Sequence, residues 1–366
     1  MSPDYRLTPT PRSRIADVDF DNLGFGNVFS DHIFCMSWRD GHWTDPQIKS
    51  YGPITLEPGA LSLHYGQAVF EGLKAFNGVD GKIRIFRPDK NAERLRQSCE
   101  RLCIPPLDDE LFCDAIEALV DIDRRWIPRQ PGQSLYIRPL IYASESHLEV
   151  RPATELQFVI MTAPVREYFQ RDAGTVSLRV EDTYTRSAPG GVGFAKTAGN
   201  YAASLRPGQE AREEGMDQVL WLDGAEHRYV EEVGQMNIFF RFDDRVLTPA
   251  LRGTILPGVT RDSVITLLRD QQIRVEERRI EISEIIDAIR KGTLQECFGS
   301  GTAAVISPVG KLRYGGKTWQ IRDGEMGDMS RRLYDTILGI QNGTVADKFS
   351  WNRIVAVSTN ATAVSG

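Results

Sequence analysis

A break in the middle of the chain limits what it can fold into more than any other feature. Two long apolar stretches, SLYIRPLIYAS (134–144) and ELQFVIMTAPV (155–165), read as strong strands. Directly after them, at REYFQRDAG (166–174), the pattern lapses into charge without periodicity. A lapse of that kind separates two hydrophobic cores, and 366 residues are enough to build both. The expected organisation is a smaller N-terminal domain over about residues 1–168, a linker over 169–174, a larger domain over about 175–345 and a tail over 346–366.

The text on either side supports an α/β class, more strictly an α+β chain of two domains. From Asp31 onward short apolar runs (DHIFCMSW, GPITLEP, GKIRIF) are punctuated by Gly and Pro, as strands and turns are. Leu95, Cys99 and Leu102 share one face of a helix over 91–102, and Asp108 is placed to cap a second helix running to about Trp126. Beyond the break, strands (VSLRVED, DQVLWLDG, MNIFFRF, IRVEERRI) alternate with helices (TRDSVITLLRD, SEIIDAIRKG, MGDMSRRLYDTILGIQNG). Ser283 is the expected N-cap of the middle helix, with Gly292 just past its end. The first twenty or so residues, polar and rich in Pro and Arg, read as a loose arm; the last stretch, VAVSTNATAVSG, reads as disordered. No internal repeat is visible.

Charge and cysteine usage exclude several classes. A net charge of −6 implies no basic face for nucleic acid or anionic membrane, although a local basic pocket for a small anion stays open. The five cysteines are odd in number and hold no C-x-x-C pair, which argues against a disulfide framework or a zinc site. The N-terminus lacks the apolar core of a signal peptide, and no apolar run approaches the ~18–20 residues that span a bilayer. A cytoplasmic, soluble protein without bound metal is expected.

The chemistry concentrates in APGGVGFAKTAGNY (188–201). Glycines this dense mean tight turns or close approach of backbone to a ligand. A lysine inside such a bend, Lys196, is placed to meet an aldehyde. An amine that attacks an aldehyde must first shed its proton, which desolvation and nearby cations favour. Tyr201, five residues on, is within reach to tune such a bond. Two other readings stand beside this one: an ordinary lysine on a surface turn, and a phosphate loop. Gly190-x-x-x-x-Ala195-Lys196-Thr197 differs by one residue from G-x-x-x-x-G-K-[ST]. Such a loop should follow a buried apolar strand, and EDTYTRSAP precedes it here.

The run GGVGFAKTAGNYAAS resembles the cofactor-lysine segment of branched-chain aminotransferases, which are fold-type IV enzymes of pyridoxal 5′-phosphate. FGNVFSDHIF, LHYGQAVFEGLKAF, SLYIRP, DQVLWLDG, EEVGQMNIFF, LPGVTRDS and FGSGTAAVISPVG resemble further segments in the family's order, covering about residues 24–345. The resemblance implies that Lys196 carries the cofactor as a Schiff base and moves the substrate α-proton. It implies that Glu232 pairs with the pyridine nitrogen and Tyr201 with the cofactor phenol oxygen, while Glu231 is taken as solvent-facing by strand alternation.

For the phosphate, Leu256, Val259 and Thr260 open a helix whose free amides face an anion. Arg94 and Arg186 match the family's arginines near that group, and Thr302 lies in a glycine-rich turn of the anion-binding kind. An isolated exposed arginine is ordinarily a solvated charge, so only the matched segments single these two out. For the substrate, Phe25, Tyr65 and Tyr136 match an aromatic wall. The Tyr65 hydroxyl and the amides of Thr302 and Ala303 match the clamp on the α-carboxylate. Arg138 matches the group for the distal carboxylate of glutamate. Leu148 and Val150 match a loop reaching a partner subunit, which implies a homodimer with active sites near the subunit interface.

The implied reaction is ping-pong transamination between leucine, isoleucine or valine and 2-oxoglutarate. This sequence departs from the family at Gln235, where a small residue or threonine is usual. It also departs at Thr197-Ala198 and at RPGQ after Ser204, and Ala304 and Ser307 stand where some members carry a redox cysteine pair. Gln235 keeps open a sibling activity on an aromatic, unusual or D-amino acid, or on aminodeoxychorismate.

Overall fold

A computed structural model describes residues 5–166 and 174–357. The chain forms two compact units: Met1–Glu167 with Ala195–Ala198 and Gly339–Gly366, and Tyr168–Phe194 with Gly199–Leu338. Most of the expected junction (167–173) lies outside the described residues.

The first unit is built on β1 (Arg6–Leu7), β2 (His32–Arg39), β3 (His42–Ser50), β4 (Ala68–Phe70), β5 (Leu73–Asn77), β6 (Ile83–Phe86), β7 (Gln133–Ala143) and β8 (Leu156–Arg166). Its helices are α1 (Leu61–Tyr65), α2 (Pro88–Arg101) and α3 (Asp109–Ile122). The two long apolar stretches pair antiparallel along their whole length as β7 and β8, from Gln133↔Arg166 to Ala143↔Leu156. This centre is apolar because β7 and β8 are covered: Leu135, Ile137, Ile141, Phe158 and Ile160 join one core with Leu95, Phe112, Ile116 and Leu119 of α2 and α3. Asp108 caps α3 as expected, accepting from the amides of Glu110 and Leu111.

The second unit contains β9 (Val176–Glu181), α4 (Ala198–Ala202), α5 (Leu205–Glu213), β10 (Gln218–Leu222), β11 (Val230–Val233), β12 (Met236–Arg241), β13 (Val246–Pro249), α6 (Val259–Asp270), β14 (Val275–Arg278), α7 (Ile282–Lys291), β15 (Glu296–Gly301), β16 (Val305–Tyr314) and β17 (Lys317–Gln320), followed by α8 (Asp328–Asn342). The strand order β11-β10-β9-β16-β15-β12 closes on itself through β11–β12 pairing, so these strands form a ring, extended by β13 and β14. Both antiparallel and parallel pairs occur, giving a mixed α/β architecture.

Three local expectations are corrected. From residue 5 onward the N-terminal arm is not loose: β1 pairs parallel with β3, and Ile15, Val18 and Phe20 pack on the core. Buried Asp31 anchors the arm by accepting from Ser13 Oγ (2.5 Å) and the Arg14 amide (2.9 Å). Composition alone hid these contacts, because the partners of the polar residues lie far along the chain. Ser283 does not cap α7. Glu281 occupies that position and Ser283 sits in the first turn, while Gly292 ends the helix in the left-handed region (φ 68°). The segment after 345 is not wholly a tail: β18 (Asn352–Ile354) pairs with β6 and Val355 is buried in the first core. The expected disorder at 358–366 lies outside the described residues. Among the described residues no helix is long and apolar enough to cross a membrane.

Candidate active site

Lys196 is fixed at its backbone. Its amide donates to Ser98 Oγ on α2 (2.9 Å), and its carbonyl accepts from the Phe70 amide at the end of β4 (3.0 Å). Val69 and Thr197 form a β-bridge beside this contact. Ser98 is fully buried, and its hydroxyl in turn donates to the Arg94 carbonyl (2.9 Å). The main chain is thus held from two sides, and Nζ lies 5.1 Å from the Phe70 ring centroid. Among the described residues no strand leads directly into this bend, since β9 ends at Glu181, and the lysine amide is already bonded. The strand–loop–helix of a phosphate loop is therefore not what forms.

Beside Phe70 in sequence, Glu71 is completely buried. It accepts from Arg94 Nε (2.8 Å) and Nη2 (2.8 Å) and from Asn91 Nδ2 (2.7 Å). Burial pushes its carboxyl up, but the Arg94 guanidinium, with help from Lys196 and Asn91, holds it below the ordinary range. Arg94 is thus a positioned cation, oriented by a fork of two parallel bonds.

The aromatic wall assembles in the same unit. Tyr136 and Arg138, alternate residues of β7, share a face: Arg138 Nη2 donates to the Tyr136 hydroxyl (2.7 Å) and its guanidinium carbon lies 4.7 Å from the Phe70 ring centroid. Phe25 meets Tyr136 edge-on at 5.0 Å. Arg138 Nε is buried without a hydrogen-bond partner, the mark of a cation short of an acceptor. Gly72 makes room for this wall, because a Cβ there would stand 2.2 Å from the Tyr136 hydroxyl. Tyr65 donates its hydroxyl to the Leu148 carbonyl. Leu148 and Val150 project outward, 72% and 76% exposed.

In the second unit, Glu232 accepts from the Leu256 amide (2.7 Å) and faces Arg186 Nε at 3.3 Å. Arg186 also donates to the carbonyls of Thr254 (2.5 Å) and Gly193 (3.0 Å). It stands against Glu232, the carboxylate that the resemblance pairs with the cofactor ring. Glu231 is corrected outright: it is 6% exposed, not solvent-facing. Strand alternation does turn it away from Glu232, but β11 is buried on both faces. Its Oε1 accepts from Thr254 Oγ1 (2.5 Å), Oε2 has no hydrogen-bond partner, and burial pushes the carboxyl up to about 7.

One backbone start in this unit is open to an anion. Helix α6 begins after Gly258 with no side-chain cap, leaving its first amides available, and Val259 and Thr260 are buried there. A Cβ at Gly258 would lie 2.0 Å from Asn237 Oδ1, so that cradle requires glycine. Thr302 and Ala303 form the turn between β15 and β16. Gln235 is exposed at the tip of the β11–β12 hairpin, beside Gly234 at φ 54°. Tyr201 sits on α4.

Phe70, Glu71 and Ser98 were not anticipated. Phe70 and Glu71 lay inside a recognisable segment, LHYGQAVFEGLKAF, where alternation alone makes them strand residues. Nothing local distinguished Ser98 from a helix-surface serine.

A family model described as Amino-transferase class IV matches residues 68–312. The branched-chain-amino-acid aminotransferase 2 of Bacillus subtilis is 49% identical over 97% of both chains, and branched-chain-amino-acid transaminase 1 of the same organism is 51% identical over 95% of this chain and 96% of its own. Among solved structures, the branched-chain amino acid aminotransferase of Escherichia coli superposes with a TM-score of 0.70 at 26% identity, covering 88% of this chain and 99% of that one. A branched-chain amino acid aminotransferase from T.th., complexed with N-(5′-phosphopyridoxyl)-L-glutamate, gives 0.71 at 26% identity, with 92% and 99% covered.

Proposed function

This chain belongs to the class IV aminotransferases and has their fold-type IV architecture; from that premise we propose that it exchanges amino groups between leucine, isoleucine or valine and 2-oxoglutarate, with pyridoxal 5′-phosphate as cofactor. The observation that carries the proposal is Lys196, whose main chain is tied to Ser98 and Phe70 while its amine lies over the Phe70 ring. The uncapped start of α6, with its obligatory Gly258, is the feature that fits a phosphate-bearing cofactor.

When bound, pyridoxal 5′-phosphate supplies an aldehyde that accepts the amino group and a ring that withdraws electrons. The side chains do the rest. Lys196 Nζ would hold the cofactor, and its amine would be the base that moves the substrate α-proton. Glu232 would keep the ring nitrogen protonated, and Arg186, Leu256 and Thr254 fix that carboxylate in place. The amides of Val259 and Thr260 would hold the phosphate, together with Thr302. Arg94, oriented by Glu71, adds positive charge, and Tyr201 adds a phenol.

Phe25 and Tyr136 exclude water from the apolar side chain of the substrate. The amides of Thr302 and Ala303 would take the α-carboxylate, joined by the Tyr65 hydroxyl once it turns from the Leu148 carbonyl. Arg138, short of an acceptor at Nε, takes the distal carboxylate of glutamate. One wall thereby serves an apolar and an acidic substrate in alternation, as a ping-pong reaction needs. Leu148 and Val150, exposed beside Tyr65, are the surface through which a second copy completes the site, making a homodimer.

Exposed, polar Gln235 favours a second reading in which a larger or unusual amino acid is the donor. Initial rates across amino donors with 2-oxoglutarate separate the two. The proposal expects leucine, isoleucine and valine to lead; a lead for aromatic or D-amino acids overturns it in favour of the second.

A further inference from the structure

A cavity of about 270 Å³ opens in the second unit beside Glu231. Pro189, Val230, Pro249, Ala250 and Ile255 give it an apolar lining. Most of its charged groups are already settled. Asp223 accepts from the amides of Ala225, Glu226, Arg228 and Tyr229. Arg278 is bonded to Glu284, and Arg279 to Glu226 while lying over the Tyr229 ring. One buried group is not settled: Glu231 is nine-tenths buried with Oε2 lacking a hydrogen-bond partner. Exposed Arg252 lines the same cavity and has no ion pair among the described residues.

A buried carboxylate oxygen without a donor costs free energy unless something supplies one. A plain cation meeting Glu231 would be repelled by Arg252, and a plain anion meeting Arg252 would be repelled by Glu231. A molecule carrying both charges a short distance apart satisfies both. The cavity is smaller than the roughly 300–1,000 Å³ of drug-sized pockets, which limits the ligand to a few heavy atoms beyond its charged ends.

We propose that this cavity is a second small-molecule site, on the face of β11 opposite Glu232, which takes a free α-amino acid with a small apolar side chain, its carboxylate meeting Arg252 and its ammonium meeting Glu231. The site is wired to the ring-nitrogen carboxylate: Glu231 bonds Thr254 Oγ1, the Thr254 carbonyl accepts from Arg186, and Arg186 faces Glu232. Occupancy shifts the charge felt at Glu232. An amino acid of the class this family handles is thereby sensed by the unit that holds the cofactor ring, an effect that rests on the function proposed above, whereas binding itself does not.

The test uses holoenzyme reduced with borohydride, so that amino transfer cannot run, and L-valine as the probe. Hydrogen exchange read by mass spectrometry should show saturable protection over 223–231 and 249–255. Arg252→Ala and Glu231→Gln should each weaken this binding by at least about tenfold, the scale of one charged contact. Isobutyrate and isobutylamine, which each lack one charge, should be weaker than valine to the same degree, and unreduced Arg252→Ala should keep basal turnover. Absence of protection, equal affinity in Arg252→Ala, or equal affinity for isobutyrate overturns the site. Should reduction leave no pyridoxyl label, the cofactor reading fails on its own, and the same titration of unlabelled protein still decides the cavity.

Discussion

Two buried glutamates, one in each unit, meet opposite fates. Glu71 in the first unit is wrapped by Arg94, Asn91 and the Gly72 amide, and its carboxyl is held below the ordinary range. Glu231 in the second unit receives a single hydroxyl, and burial drives its carboxyl up to about 7. Glu71 is the more deeply buried of the two, so the number and charge of donors, not burial, decide the outcome. The settled charge serves to orient its neighbours, whereas the unsettled one marks a place suited to a ligand. Arg138 is the intermediate case, with one partner in Tyr136 and an orphaned Nε.

The sharpest way to break this contrast is to remove the settled charge. Glu71→Ala takes from buried Arg94 the carboxylate that its Nε and Nη2 both reach and should cost about 3–5 kcal/mol of stability in urea unfolding. Glu71→Ala combined with Arg94→Met should recover part of that. A loss under about 1 kcal/mol in the single variant would mean the pair is not the anchor described. Because the folded carboxyl lies below its ordinary value, the stabilisation it contributes is present above the unfolded pKa and fades as pH falls through the folded one.

The unsettled charge predicts the opposite sign. Glu231 has a raised pKa, so the unfolded chain ionises first as pH rises, and stability is lost between the ordinary 4.5 and about 7. Glu231→Gln should therefore gain stability over the parent above pH 7, by at most on the order of 3 kcal/mol, and lose that advantage near pH 4. Thermal unfolding across pH reads this directly, and a pH-independent difference would contradict it. The intermediate case gives the smallest effect. Arg138→Met should raise KM for 2-oxoglutarate about ten- to hundredfold, as expected for a lost hydrogen bond to a charged group, while KM for leucine stays within about twofold. Equal rises for both substrates would deny Arg138 its selective role.

Much of this was legible in the sequence because it is local. The antiparallel pair β7–β8, the Asp108 cap, the Gly292 stop and the alternation of Tyr136 with Arg138 follow from periods and caps within a few residues. Lys196 stood out through its glycine-rich surroundings. What escaped was non-local. Ser98 meets Lys196 from 98 residues away and Glu71 meets Arg94 from 23. Alternation put Glu231 in solvent because it could not say that both faces of β11 are covered. The arm over residues 5–20 looked loose because its partners, Asp31 and β3, are chosen by tertiary packing.

Lys196 is the amine proposed to bond the cofactor. Borohydride reduction of the purified protein followed by peptide mapping tests it with least inference. A pyridoxyl mass on the Lys196 peptide, and on no other lysine, is the predicted result. A label on a different lysine, or none after saturation with pyridoxal 5′-phosphate, would contradict the account at its root.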